Sequence, residues 1–322
     1  MTTNPDQSPQ PAQPPRPEQA TGSGQDPRSE RSSGSGQEPT PSYQESFVDR
    51  DGDRIALRSY PDPAGAPDAP VVLVWPAMGV RASYYAPFAA ALRDAGLAVV
   101  VADLRGTGAS TPAPSRASRY GYAELAGDVG AVLESLKPRL DGRKRILLGH
   151  SLGGQAALLH LALEPTTQVD GLALVAVGLP YWRAYPGRRL AILAGTQFIH
   201  GCAATLGSWP GWGFGGRQAR GVIRDWAHTA RTGRFPRLDG VDVEAAVREV
   251  RAPVLAVSVD HDQYSPHETL DYLCDKLVAA PIRRTRYTLA ESGTRLDHFT
   301  WVRASAPVAA RVAAFAAELP HR

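Results

Sequence analysis

Ser151 lies in "GHSLGG" (149–154), between an apolar run that ends at His150 and a second that begins at Leu152. A free hydroxyl is a weak nucleophile and needs a base within reach. A serine in a sharp strand-to-helix turn presents its oxygen outward, provided its neighbours are small enough not to clash. Gly149-His150-Ser151-Leu152-Gly153 fits that G-x-S-x-G turn. The following helix would aim its free N–H groups at developing negative charge. Three fixed positions also arise by chance, and an N-cap serine after a glycine turn is the plainer alternative. The strand before the serine and the helix after it favour the nucleophile.

The chain has eight histidines. The base in such a turn comes from a loop after a later strand, in the order Ser, Asp, His. His298, in "ESGTRLDHFTW", is the only histidine between the last sheet strand and the last helix, so it is the expected general base. His321 falls in the terminal tail. Two carboxylates, Asp260 and Asp262, follow the strand that ends near Val259. Asp260 leaves the strand and could be a turn-former. Asp262 lies farther into the loop, where it could orient the imidazole, and the residues alone lean towards it. Asp297 adjoins the histidine, and neighbouring side chains rarely face each other. For the oxyanion, one donor is the Leu152 N–H and the other comes from the loop after "VVLVW". Pro76 has no N–H, which leaves Met78 or Ala77, with Met78 preferred. Gly79 would let this loop turn closely over the site.

Elements that could position these residues are legible as apolar runs. Residues 46–62 read as two strands around an Asp-Gly turn. Buried strands are expected at 69–77, 97–106, 143–151, 169–178 and 252–260, with a further strand at 283–290. Helices are expected at 84–96, 122–140, 152–164, 267–279 and 306–319. This alternation predicts an α/β fold with a mostly parallel central sheet flanked by helices. It breaks at 179–250, which predicts a cap or lid inserted between strands 6 and 7 of the sheet. The core is then 43–178 and 251–322. Residues 1–42, rich in Pro, Gln, Gly and Ser, read as a disordered tail without the apolar segment of a secretory signal.

The insertion holds Trp182, Tyr185, Phe198, Trp209, Trp212, Phe214 and Trp226. Most of these would pack the cap, and a few would line an acyl or aryl pocket. Trp182, Trp209, Trp212 and Trp301 are the candidates for that lining. His150 is counted with them, although the turn should direct its side chain away from the serine. "PGWGFGG" (210–216) suggests a bendable segment.

Composition narrows the field. With 35 basic and 32 acidic residues in 322, the net charge is +3 and there is no footprint for nucleic acid. The basic stretch "PIRRTRY" (281–287) reads as a strand edge. No 18-residue apolar run exists, so no stable membrane insertion is expected. Two cysteines without a motif point to a reducing, cytoplasmic setting. The composition is compatible with a monomer or a homo-oligomer.

"GHSLGG", "DLRGTGAS" (103–110), "SVDHDQYSP" (258–266) and "DHFTW" (297–301) together resemble the α/β-hydrolase superfamily from about 45 to 320. The resemblance implies that fold, a nucleophile elbow and a catalytic triad. Its acid is commonly followed four positions later by proline, which Asp262 and Pro266 match and Asp260 does not. "WPAMGVRASYYAPFAAAL", "LPYWRAYP" and "IRDWAHTAR" are similar to a bacterial subgroup of predicted hydrolases related to the serine aminopeptidase and monoglyceride lipase branches. Where the family carries His-Gly at the oxyanion loop, this chain has Pro76-Ala77. Arg105 is expected to brace the loop after its strand.

The expected activity is a serine esterase acting on a small or medium apolar acyl or aryl ester, a small-molecule substrate, with no metal or organic cofactor needed. A thioesterase, amidase or peptidase, or acyltransferase would use the same triad. A non-catalytic binder on the same fold is the reading from another class.

Overall fold

The computed structural model describes Met1 and residues 43–320. The expected tail and His321 lie outside the described residues. The first strands, β1 (Gln44–Arg50) and β2 (Asp53–Ser59), form a two-residue hairpin. Asp51 and Gly52 turn it with φ of 55° and 81°, the left-handed pair that such hairpins require.

Next come β3 (Val71–Trp75), α1 (Ala86–Asp94), β4 (Ala98–Ala102), α2 (Tyr122–Ser135), α3 (Lys137–Leu140), β5 (Arg145–His150), α4 (Leu152–Leu163) and β6 (Gly171–Val175). After β6 the chain forms α5 (Arg189–Leu206), a short ribbon of β7 (Ser208–Trp209) and β8 (Gln218–Ala219), α6 (Arg220–Thr232) and α7 (Val243–Arg248). It then returns through β9 (Val254–Val259), α8 (His267–Cys274), β10 (Ile282–Tyr287), α9 (Leu289–Ser292) and α10 (Ala306–Glu318).

The large sheet runs β1-β2-β4-β3-β5-β6-β9-β10. The first two pairings, β1 with β2 and β2 with β4, are antiparallel and the rest are parallel. Strand side chains alternate between two cores. Val71, Leu73 and Trp75 pack with α2 and α4 on one face, whereas Val72 and Val74 pack with α1 and α10 on the other. All five residues of β3, β4 and β6 are buried, as strands covered on both faces must be. Residues 43–320, the insertion included, fall in one compact unit. No helix among the described residues is long and apolar enough to cross a membrane.

Three boundaries differ from the sequence pattern. The run 122–140 divides at Leu136, because Pro138 has no N–H to continue the helix from α2 into α3. The run from 84 begins as a 3-10 turn, Ala82–Tyr85, before α1. The helix expected at 267–279 ends at Cys274. The basic stretch falls on the edge strand β10, where Arg284 pairs with Asp271 and Asp275, and Arg286 with Asp260.

Arg105 braces the sheet's end. Its guanidinium donates to both carboxylate oxygens of Asp128 at 2.9 and 2.6 Å, and to Asp53 at 2.7 Å. Arg50 adds a bond to Asp128 at 2.8 Å. Asp128 is 1% exposed and is the buried carboxylate shared by both guanidiniums, so removing it leaves Arg105 with Asp53 alone and Arg50 with the exposed Asp51. Asp128→Ala is expected to lower stability by about 3–5 kcal/mol, read as a drop in urea midpoint at unchanged slope.

Candidate active site

The turn after β5 is set by steric exclusion. Ser151 has φ 52° and ψ −121°, a conformation that costs a non-glycine residue energy. A Cβ on Gly149 would lie 2.1 Å from the Gly154 Cα, and one on Gly153 2.2 Å from the Trp75 carbonyl oxygen. One on Gly154 would meet Val177 at 2.3 Å. Only glycine allows α4 to start this close to the ends of β3 and β5. Eleven of the twelve residues of α4 are buried, so its N-terminus is fixed by the core rather than by surface contacts.

His298 and Asp262 meet across the sheet's end, Nδ1 to Oδ2 at 2.8 Å. Both are buried, His298 at 3% exposure and Asp262 at 5%. The other Asp262 oxygen accepts the Tyr264 and Ser265 N–H groups at 2.8 and 2.7 Å, which fixes the carboxylate on its loop. Asp260 does something else. It pairs with Arg286 and accepts the Leu289 N–H, joining β9 to β10 and the start of α9. Those contacts hold its carboxyl below the usual carboxylate range, against the opposing pull of partial burial. Asp297 accepts the Phe299 and Thr300 N–H groups and closes a local turn.

The loop after β3, the candidate oxyanion-side loop, also resolves into distinct contacts. The Ala77 N–H donates to the Tyr85 hydroxyl at 2.8 Å and is committed there. Among the described residues no acceptor takes the Met78 or the Leu152 N–H. The Tyr85 oxygen lies 2.7 Å from His150 Nδ1. The phenol oxygen thus touches both the Ala77 N–H and His150 Nδ1, while the Trp301 indole N–H faces Nε2 at 3.5 Å.

His150 is fully buried, its ring 4.7 Å from the His298 ring and 5.3 Å from the Trp301 ring. Burial pushes its pKa well below the ordinary histidine value, and the neighbouring His298 pushes the same way. The imidazole is therefore neutral.

A cavity of about 250 Å³ opens over the serine. Ser151, Leu152, Ala77, Met78 and His298 border it on the core side. The insertion supplies the opposite wall through one face of α5 and through Phe214 and Trp226. Phe214 stacks on Trp226 at 5.1 Å and on Tyr264 at 5.7 Å.

None of the five expected pocket residues lines this cavity. His150 is sealed beneath the turn by Tyr85 and Trp301. Trp301 is buried edge-on against Phe88 at 5.0 Å. Trp182 donates to the Arg231 carbonyl and holds α6. Trp209 is buried and donates to the Phe214 carbonyl at 2.8 Å, pinning the glycine-rich loop. Trp212 sits edge-on to Trp209 and is 62% exposed. A large ring bonded through its N–H to a backbone carbonyl is serving the insertion's own packing.

The aromatics that do reach the cavity are Tyr185, Phe214, Trp226, Tyr264 and Phe299. The period of α5 could have found its lining face, because Ile192, Gly195 and Ile199 recur at helical spacing. The glycines of 210–216 have positive φ at 211, 213, 215 and 216. Gly215 and Gly79 pack backbone to backbone, and a Cβ on Gly79 would lie 2.2 Å from the Gly215 oxygen.

Comparison with known proteins agrees with this geometry. Residues 66–225 match the family described as serine aminopeptidase, S33, a span that contains the oxyanion-side loop and the serine turn but ends before Asp262 and His298. A stretch of 112 residues is 38% identical to the "Putative carbamate hydrolase RutD" of Variovorax paradoxus (strain S110). That match takes in 34% of this chain, which spans only 39% of the relative's length.

Among solved structures, Est1E from Butyrivibrio proteoclasticus with bound ferulic acid is similar at TM-score 0.58 and 17% identity, over 84% of this chain and 99% of that one. The enol-lactonase from Burkholderia xenovorans LB400 is similar at TM-score 0.55 and 17% identity, over 85% of this chain and 100% of that one. Sheet order, the strained serine turn and these likenesses agree on the α/β-hydrolase fold.

Proposed function

We propose that this protein is a serine hydrolase that cleaves carboxylic esters of a small or medium apolar acyl or aryl group through an acyl-enzyme. The observation that carries the reading is the buried His298–Asp262 pair at 2.8 Å, bordering the same cavity as Ser151. His298 takes the Ser151 proton as the hydroxyl attacks the ester carbonyl. Asp262 orients the imidazole and stabilises the imidazolium without taking its proton.

The Leu152 and Met78 N–H groups receive the tetrahedral oxyanion. Met78 is preferred to Ala77 because the Ala77 N–H is already engaged by Tyr85. His298 then protonates the leaving alcohol, and water activated by the same imidazole releases the acid. The residues 179–250 act as a cap that closes the acyl side.

The walls favour an ester over an aminopeptidase substrate. A free α-amino group needs a carboxylate to receive it, and the described residues lining the cavity include neither Asp nor Glu. Its one full charge is Arg188, which also donates to the Gln263 carbonyl. At about 250 Å³ the cavity falls just below the usual range of small-molecule sites, about 300–1,000 Å³, which suits a compact acyl group. Thioesters present the same acyl carbon and are a natural second set to assay.

Three measurements test the reading. A fluorophosphonate probe should label the native chain, and Ser151→Ala should abolish both labelling and p-nitrophenyl ester turnover. Persistent labelling in that variant would displace Ser151 as nucleophile. Asp262→Asn should lower kcat by about 10⁴-fold, as loss of the orienting acid does elsewhere, while Asp260→Asn should act mainly on thermal stability. The reverse order of kcat losses would reassign the acid.

Tyr85→Phe removes the group that holds the Ala77 N–H, so its effect is one of positioning. Loss of a direct oxyanion donor costs about 10²–10³ in kcat, and an indirect displacement should cost about tenfold. Affinity for a boronic acid analogue should fall with kcat, while KM stays near its native value. Loss of stability with no such parallel would make Tyr85 a packing residue only.

A further inference from the structure

Of the glycines in the long helices, two on α5 have no steric reason to be glycine. A Cβ added at Gly195 or at Gly201 would meet nothing within 4 Å, whereas Gly149, Gly153, Gly154 and Gly221 are all forced by close backbone or side-chain neighbours. Neither Gly195 nor Gly201 has a positive φ, so neither is needed for backbone conformation. Glycine inside a helix weakens it relative to alanine. A glycine kept there without packing or conformational cause points to a need for space.

The two differ in what they face. Arg188, Ala191, Ile192, Gly195, Thr196 and Ile199 of this segment line the cavity over Ser151, and at 100° per residue Gly195 falls near the middle of that arc. Both glycines are exposed, but Gly201 falls on the opposite side of the helix and does not line the cavity. Gly195 thus leaves a gap between the side chains of Ile192 and Ile199, facing the wall formed by Phe214 and Trp226. A gap between two β-branched residues one helical turn to either side is a slot across the helix face. It accepts a slender aliphatic chain more readily than a branched or bulky one.

We infer that Gly195 is a specificity-determining residue. It keeps open the slot into which an unbranched acyl chain of medium length runs, crossing the face of α5 between Ile192 and Ile199. The inference deepens the reading of Ser151 as the nucleophile, and it takes from that reading only which end of the chain is the acyl carbon. Any side chain at 195 would shorten the slot, and a leucine would fill it.

The test uses the full chain with Gly195→Leu, the milder Gly195→Ala, and Gly201→Leu as a control for the helix itself. Esters of p-nitrophenol are compared as the ratio of kcat/KM for octanoate to that for acetate. The expected result is a fall of at least tenfold in this ratio for Gly195→Leu, a smaller fall for Gly195→Ala, and the native ratio for Gly201→Leu. Decanoate binding, measured by calorimetry in the Ser151→Ala background, should weaken in the same order.

Unchanged ratios and unchanged decanoate affinity in both Gly195 variants would overturn the inference, as would an absence of decanoate binding by the parent. A preference for benzoate over octanoate that survives Gly195→Leu would also overturn it. If the native chain turned over no ester but decanoate binding still depended on position 195, the slot would stand and the hydrolase reading would fall.

Discussion

The approach of α4 to the ends of β3 and β5 is the contact on which the site depends. Trp75 and Gly149 are paired in the sheet, so the last residue of β3 lies beside the strand that delivers Ser151. Gly153 then sits against the Trp75 and Pro76 carbonyls at a distance no other residue could reach. Two consequences follow from this single contact. The Leu152 N–H is brought alongside the loop that carries Met78, and Ser151 is forced to φ 52° with its side chain over the cavity. The strain is sustained because α4 is buried along almost its whole length, and rotating the serine back would require moving a core helix.

The same contact explains why the residue before the serine is a buried histidine. The turn sends successive side chains to opposite sides, so His150 faces the core as Ser151 faces the cavity. There it joins the start of α1 to the oxyanion-side loop through the Tyr85 hydroxyl, which takes the Ala77 N–H. A charged ring in that place, 4.7 Å from His298, would oppose protonation of His298. Burial keeps it neutral, and the bond between Nδ1 and the Tyr85 hydroxyl serves positioning.

Much of this was legible in the sequence, for identifiable reasons. Continuous apolar runs mark strands covered on both faces, and the glycines of 149–154 can be read as the consequence of helix-to-strand approach. Topology restricts where a base could come from, which singles out His298 as the candidate. The choice between Asp260 and Asp262 as the candidate acid cannot be completed from the residues alone, because the contacts that separate them, Asp260 with Arg286 and Asp262 with His298, are made across the sheet. The choice between Ala77 and Met78 hangs on a phenol eight positions away, presented from the turn before α1. Both are non-local facts that a motif does not contain.

The insertion was the least legible part, and its tryptophans show why. Aromatic content suggested a lined pocket, yet an indole with a buried N–H must find an acceptor, and a backbone carbonyl within the insertion is the nearest supply. Trp182 and Trp209 answer to that need and end up holding the insertion together. The cavity is lined instead by rings packed on one another, Phe214 on Trp226 and on the half-exposed Tyr264. The informative signal lay in α5, whose helical period mixes isoleucines with an unexplained glycine. In the wall of an apolar cavity, the residues that leave room shape the space as much as the residues that fill it.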